Sequence, residues 1–307
     1  MTLNSLVAIL ASIALQANPS PQSIPLHINP LPMAGVAVAR PMKPEKKHFE
    51  SLGVETTASS AIVVDVGSGS VLYAKSAEVP HPVASLTKLM TAMVILDQGL
   101  HGEESLTIAQ SDFDPLGRRY VEAAESMKRI DAFRAMLVGS VNELANAFAR
   151  TSPGGGESFI DAMNAKAKSL GMKGSKFVDS SGIEPKNVAS ATDIARMLRS
   201  AVAYPEIREM TGSVAFDLRT SGGRLVNIKP TNNLLTSYLN KDPYKIMVGK
   251  TGSLPEAGYC LGTVTRHPDG QEVIAVVLGS NNHFSRFQEV KSLTSWAFET
   301  YAWHKNE

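Results

Sequence analysis

Apolar residues in this chain fall into two kinds of run, and their order predicts the architecture. Ala61 to Val66 is largely apolar, Gly67-Ser68-Gly69 turns the chain, and Val71 to Tyr73 resumes with β-favouring residues, which predicts a hairpin. Pro80 and Pro82 punctuate the approach to a helix from about Ser85 to Asp97. Its apolar surface comes from Leu86, Leu89, Met90, Met93 and Ile95, and Gly99 ends it. The middle third reads as helices over Arg129 to Val138, Glu143 to Ala149 and Phe159 to Leu170, the last closed by Gly171. Gly154-Gly155-Gly156 reads as a flexible loop. Ser190 with Asp193 resembles a capping box opening a helix through Leu198, and Pro205 lies beyond its end. Ile246 to Lys250, Gly258 to Thr265 and Glu272 to Leu278 are β-rich runs separated by short turns, which favours an antiparallel meander. An amphipathic helix from about Phe284 to Trp303 is expected to cover one face. The order predicts an α/β (α+β) fold: one antiparallel sheet made from both chain ends, flanked by helices, with an all-helical subdomain inserted at roughly 98–225.

The first residues follow neither pattern. Leu6 to Leu15 is small or apolar and too short to span a bilayer, and it reads as an export signal over residues 1–17 despite the absence of a preceding Lys or Arg. Residues 18–54, rich in proline as far as Pro44, read as a flexible linker without regular elements, leaving 55–304 as the folded body. No second apolar run reaches membrane-spanning length, so no stable transmembrane segment is expected.

Composition narrows the classes further. With 43% hydrophobic and 19% charged residues among 307, the chain is neither disordered nor a charged coiled coil. A formal net charge of +1 advertises no nucleic-acid partner. The single cysteine, Cys260, excludes a disulfide framework and reads as a packed core residue. His48, His81, His101, His267 and His283 are scattered without ligand spacing, so neither a metal nor another cofactor is expected.

Three short segments can carry chemistry. In Ser85-Leu86-Thr87-Lys88, residues three apart share a helix face, which sets an amine over a hydroxyl. Serine is a poor nucleophile until such a neighbour takes its proton, and the lysine must be neutral to do so. Ser140-Val141-Asn142 interrupts two helical runs just after Gly139, where a loop can project both polar side chains; Asn142 is equally able to cap the following helix. Each of these patterns arises by chance roughly once in a chain of this length. Lys250-Thr251-Gly252 is sharper, with a random expectation of roughly 0.05. It is placed at the end of an apolar strand, where its glycine permits close backbone approach by a ligand. No G-x-S-x-G elbow competes with them.

The set S-x-x-K, S-x-N, K-T-G resembles the penicillin-recognising serine peptidases. The stretches from Ser85 to Met93 and from Gly249 to Gly252 are similar to the low-molecular-mass penicillin-binding proteins, the D-Ala-D-Ala carboxypeptidase family. Ala162 to Met172 and Ala257 to Leu261 resemble its D-alanyl-D-alanine endopeptidase branch, the penicillin-binding protein 7 type, in which valine at position 141 is a departure from the usual glutamate. The resemblance spans about residues 55–304 and implies a serine β-lactamase/DD-peptidase-like fold with the site in a cleft between an α/β part and a helical part. It implies Ser85 as nucleophile, Lys88 as general base, Ser140 as proton relay and Lys250 as its electrostatic and proton-transfer helper. It further implies that Asn142, Thr251, Gly252 and Ser253 bind substrate, with the backbone N–H groups of Ser85 and Ser253 forming the oxyanion hole. No C-terminal β-domain is expected. The implied partners are peptidoglycan stem peptides and acylating β-lactams, and the implied location is the periplasm of a Gram-negative bacterium. The leading expectation is a penicillin-sensitive serine DD-peptidase cleaving D-Ala–diaminopimelate cross-links. A carboxypeptidase trimming pentapeptides, a serine β-lactamase and a catalytically silent wall-binding protein are the alternatives.

Overall fold

The computed structural model describes residues 42–115 and 118–303; the expected export signal, and the linker as far as residue 41, lie outside the described residues. The central sheet has five strands, β1 (Ser60–Asp65), β2 (Val71–Lys75), β3 (Lys245–Leu254), β4 (Gly258–Arg266) and β5 (Glu272–Ser280). Their spatial order is β3-β4-β5-β1-β2, antiparallel throughout. The two chain ends meet in the β5–β1 ladder, which sets Val273 opposite Asp65 and Leu278 opposite Ser60.

Among the described residues seven helices accompany it: α1 (Thr87–Asp97), α2 (Arg129–Val138), α3 (Asn142–Thr151), α4 (Gly155–Ser169), α5 (Ala191–Ala201), α6 (Pro205–Thr211) and α7 (Ser285–Thr300). Ile62, Val64, Ile274, Val276 and Leu278 join the core shared with α1 to α6, whereas their neighbours Ala61, Val63, Val273, Ala275 and Val277 pack with Phe287, Val290, Leu293 and Ala297 of α7. Burial on both faces explains why the strands read as continuous apolar runs without polar alternation. Helix α1 is buried without interruption from Thr87 to Ile95, as expected of a helix with no solvent face. That burial carries Lys88 into the interior.

Several boundaries depart from expectation, each for a local reason. Ser85 lies in a 3-10 turn, Ala84–Leu86, ahead of α1. Gly155 and Gly156 open α4 with Gly154 as its N-cap, so the glycine run is the entry to a helix and not a loop. Strand β3 continues through Lys250-Thr251-Gly252 to Leu254, because β4 pairs with it along that whole length; the motif lies within a strand, not at its end. Glu45–Lys46, inside the expected linker, pairs with Tyr301–Ala302 after α7 stops at Thr300. The inserted region is not wholly helical: Ser105–Thr107 pairs with Ser126–Lys128, and Phe216–Arg219 with Leu225–Ile228.

The capping reading at α5 is half realised. The Ser190 hydroxyl accepts from the Asp193 N–H at 3.1 Å, but the buried Asp193 carboxylate accepts instead from the Gly174 N–H at 2.7 Å and pairs with Arg196. Ser190→Ala is expected to lower stability by about 1 kcal/mol, seen as a lower denaturant midpoint with an unchanged slope.

Candidate active site

Three elements deliver the candidate residues to one place. The 3-10 turn presents Ser85, and the first turn of α1 sets Lys88 beside it at 0% exposure. The link between α2 and α3 presents Ser140 in a left-handed backbone conformation, φ 58°, and Asn142 becomes the first residue of α3. Lys250 comes from β3, which lies at the edge of the sheet and so turns one row of peptide groups outward.

The Lys88 ammonium nitrogen lies 3.0 Å from Ser85 Oγ and 2.6 Å from Asn142 Oδ1, with the Ser181 carbonyl as a third partner. A neutral amine has two N–H donors and one lone pair. The amide and carbonyl oxygens can only accept, so they take the two donors and leave the lone pair for the one partner able to donate, the Ser85 hydroxyl. Burial lowers the Lys88 pKa to about 8, against the opposing pull of Asp179, Asp114 and Glu143. Burial likewise raises Asp114 and Glu143 above the ordinary carboxylate range.

Lys250 Nζ donates to Ser140 Oγ at 2.8 Å and to the Thr251 carbonyl at 3.0 Å. Its burial, then the charges of Lys88 and Arg286, push it well below the usual lysine value. A cleft of about 370 Å³ is walled by Ser85, Ser140, Thr251, Gly252 and Ser253. Asn142 stands behind this wall, its amide bridging Lys88 and Asp114. The strand glycine answers to the protein's own backbone: a Cβ at Gly252 would lie 2.6 Å from the Val83 carbonyl and 3.2 Å from the Ser85 nitrogen. The close approach expected of a ligand is therefore made by the turn that carries Ser85.

Other parts of the site were not anticipated. Arg286 of α7 lines the cleft, donates to the Gly252 carbonyl at 2.9 Å and adjoins His283; burial brings its pKa down to about 10. Thr251 Oγ1 donates to Thr231 Oγ1 at 2.7 Å. Arg286 is one of several charged residues of an amphipathic helix, so the sequence carried no signal for it, nor for Thr231 or the Ser181 carbonyl. A second cavity, about 700 Å³, opens between α3, α4 and the segment 178–180, and none of the eight candidate side chains lines it. Among the described residues, no group of three or more His, Cys, Asp or Glu is placed to hold a metal ion, and no helix is long and apolar enough to cross a membrane.

A serine hydroxyl against a buried lysine, a second serine–lysine pair facing it and an open sheet edge for an extended peptide define a serine acyl-transfer peptidase of the penicillin-recognising class. Residues 45–282 match the D-alanyl-D-alanine carboxypeptidase family, and the chain belongs to it as a serine-type DD-peptidase. It is 34% identical over 270 residues to a D-alanyl-D-alanine endopeptidase of Pseudomonas aeruginosa, covering 85% of this chain and 84% of that one. Identity to the D-alanyl-D-alanine endopeptidase of Escherichia coli is 32%, over 79% and 77% of the two chains. The crystal structure of the Streptomyces K15 DD-transpeptidase superposes with a TM-score of 0.75 at 26% identity, covering 81% of this chain and all of that one. Penicillin-binding protein D2 of Listeria monocytogenes in its cefotaxime-bound form gives 0.69 at 29% identity over 81% of this chain.

Proposed function

We propose that the chain is a periplasmic endopeptidase that hydrolyses the D-alanyl bonds cross-linking peptidoglycan stems, through an acyl-enzyme on Ser85. The observation that carries this reading is the partner set of Lys88, which leaves a lone pair only toward Ser85. In the forward step Ser85 Oγ attacks the D-alanyl carbonyl while its proton passes to the Lys88 amine. Backbone N–H groups of Ser85 and Ser253 receive the developing oxyanion. The Ser140 hydroxyl, held by Lys250, passes a proton to the departing amine as the C–N bond breaks and is reprotonated at the expense of the Lys88 ammonium, which returns to the neutral amine. Asn142, placed behind the cleft wall, orients the base and not the substrate amide that the resemblance implies, while Thr251, Gly252 and Ser253 hold the stem peptide in extended register along β3. Water then takes the acyl group: Lys88 again accepts a proton, from the attacking water, and returns it to Ser85 Oγ as the ester C–O bond breaks. A β-lactam enters the same cycle, but its leaving amine stays tethered by the opened ring.

The endopeptidase assignment draws on the two relatives named for that activity. One observation favours a second reading: the Arg286 guanidinium in the cleft wall is able to grip the free carboxylate of a terminal D-alanine, as trimming of pentapeptides requires. Purified cross-linked muropeptide dimer and monomeric pentapeptide, each incubated with the protein and weighed by mass spectrometry, separate the two. Conversion of dimer to monomers, blocked by prior treatment with benzylpenicillin, is the expected result. Loss of one alanine from pentapeptide with the dimer intact would overturn the endopeptidase reading.

A further inference from the structure

The Ser181 carbonyl that engages Lys88 belongs to a turn with an unusual anchor. Asp179 Oδ1 accepts from the Ser181 N–H at 2.7 Å and from the Gly182 N–H, and Oδ2 accepts from the Glu184 N–H at 2.7 Å. One carboxylate thus gathers three backbone donors within six residues. The same turn is pressed against the residue that precedes Ser85: Gly182, at φ +83°, has no room for a side chain, since a Cβ would lie 2.0 Å from the Ala84 carbonyl. Glycine alone fits a left-handed residue at that separation. The turn therefore packs its backbone against Ala84, the residue before Ser85, and hydrogen-bonds Lys88.

We propose that Asp179 is a positioning residue for acylation: its carboxylate closes the 179–184 turn so that the Ser181 carbonyl occupies one Lys88 donor and directs the amine's lone pair at Ser85. Asn142 fixes the other donor from α3, so the amine is aimed from two sides. Without the Ser181 carbonyl in place, the amine is free to rotate, and misplacement by about 1 Å is enough to cost 10²-fold in rate.

Asp179 also acts at a distance. The charges facing Lys88 are Asp179 from this turn, Asp114 from the segment ahead of α2, Glu143 from α3 and Lys250 from β3. Among the three carboxylates, Asp179 opposes the effect of burial on Lys88 most strongly. Removing its charge favours the neutral amine, so the base becomes available at lower pH and is weaker once available.

The inference rests on Lys88 being the general base, and the experiment keeps the two apart. The rate constant for acylation by benzylpenicillin, followed as the covalent adduct by intact-protein mass, is measured from pH 6 to 10 for wild type, Asp179→Asn and Asp179→Ser. Asparagine keeps one oxygen for the Ser181 and Gly182 N–H groups but meets the Glu184 N–H with a donor; serine retains a single acceptor. The expected result is a plateau about 10- to 100-fold below wild type and a midpoint lower by roughly one pH unit in a folded variant. A purely architectural role would reduce the folded fraction without moving the midpoint. An unmoved midpoint or an unchanged plateau overturns the proposal, as does failure of both variants to fold, which makes the carboxylate architectural. A wild-type profile with no rising limb refutes the Lys88 reading instead.

Discussion

Ser85→Ala is expected to lose covalent labelling by fluorescent penicillin altogether and to lower turnover of the cross-linked dimer by at least about 10⁵-fold, the scale seen when a peptidase nucleophile is removed. The loss should be catalytic and not structural. The one side-chain hydrogen bond of Ser85 among the described residues is to Lys88, and that amine keeps Asn142 and Ser181 as partners when the hydroxyl is gone. Thermal unfolding of the variant should therefore stay close to wild type, within about 1 kcal/mol. Residual binding of substrate is also expected, because the wall of Thr251, Gly252 and Ser253 is untouched. A folded Ser85→Ala protein that still takes up the label would move the nucleophile elsewhere, and Ser140, 2.8 Å from Lys250, would be the first residue to test.

The sheet was the most legible part of the chain because burial on both faces leaves runs such as Val273 to Leu278 without a polar interruption. The antiparallel meander of β3, β4 and β5 followed from turns too short for any crossover. What local pattern misjudged were ends decided by distant partners. Lys250-Thr251-Gly252 looks like a strand end because Lys250 is charged, yet β4 holds the chain in register as far as Leu254. Glu45–Lys46 looks like linker because prolines surround it, and only Tyr301–Ala302, at the other end of the chain, makes it a strand.

The site divides along the same line. Ser85 and Lys88 are three residues apart, so helical geometry alone places them together. Their convergence with Ser140, Asn142 and Lys250 came from the motif set and not from periodicity. The Ser181 carbonyl lies 93 residues beyond Lys88, and a backbone acceptor leaves no mark on side-chain identity. Asp179 is visible in the sequence only as part of a polar turn, Asp179-Ser180-Ser181-Gly182, of the kind any loop supplies. Arg286 is similarly hidden: a lone arginine near the start of a helix reads as solvated until its guanidinium is found 2.9 Å from the Gly252 carbonyl.

The pH dependence of acylation offers a second test with a large amplitude, and its sign follows from the base's surroundings. Lys88 accepts a proton only when neutral, so the acylation rate constant should climb about tenfold per pH unit and level off above about 8. Lys88→Met removes the acceptor at similar volume. It should lower the plateau by about 10²- to 10⁴-fold and erase the rising limb, because among the described residues Lys88 is the one titratable side chain hydrogen-bonded to Ser85. Stability should respond in the same window. Burial drops the lysine from its ordinary 10.5 to about 8 in the folded chain, so between those values the unfolded chain binds the extra proton and stability rises with pH. Below about 8 the folded chain carries a desolvated ammonium, at a cost of about 3 kcal/mol. Denaturant midpoints of the wild type should therefore increase from pH 8 to 10. Lys250, lowered in the same direction, adds to that rise, so Lys88→Met should flatten the slope without abolishing it. A wild-type protein whose acylation is level from pH 6 to 10 would show that Ser85 gives up its proton to some other group.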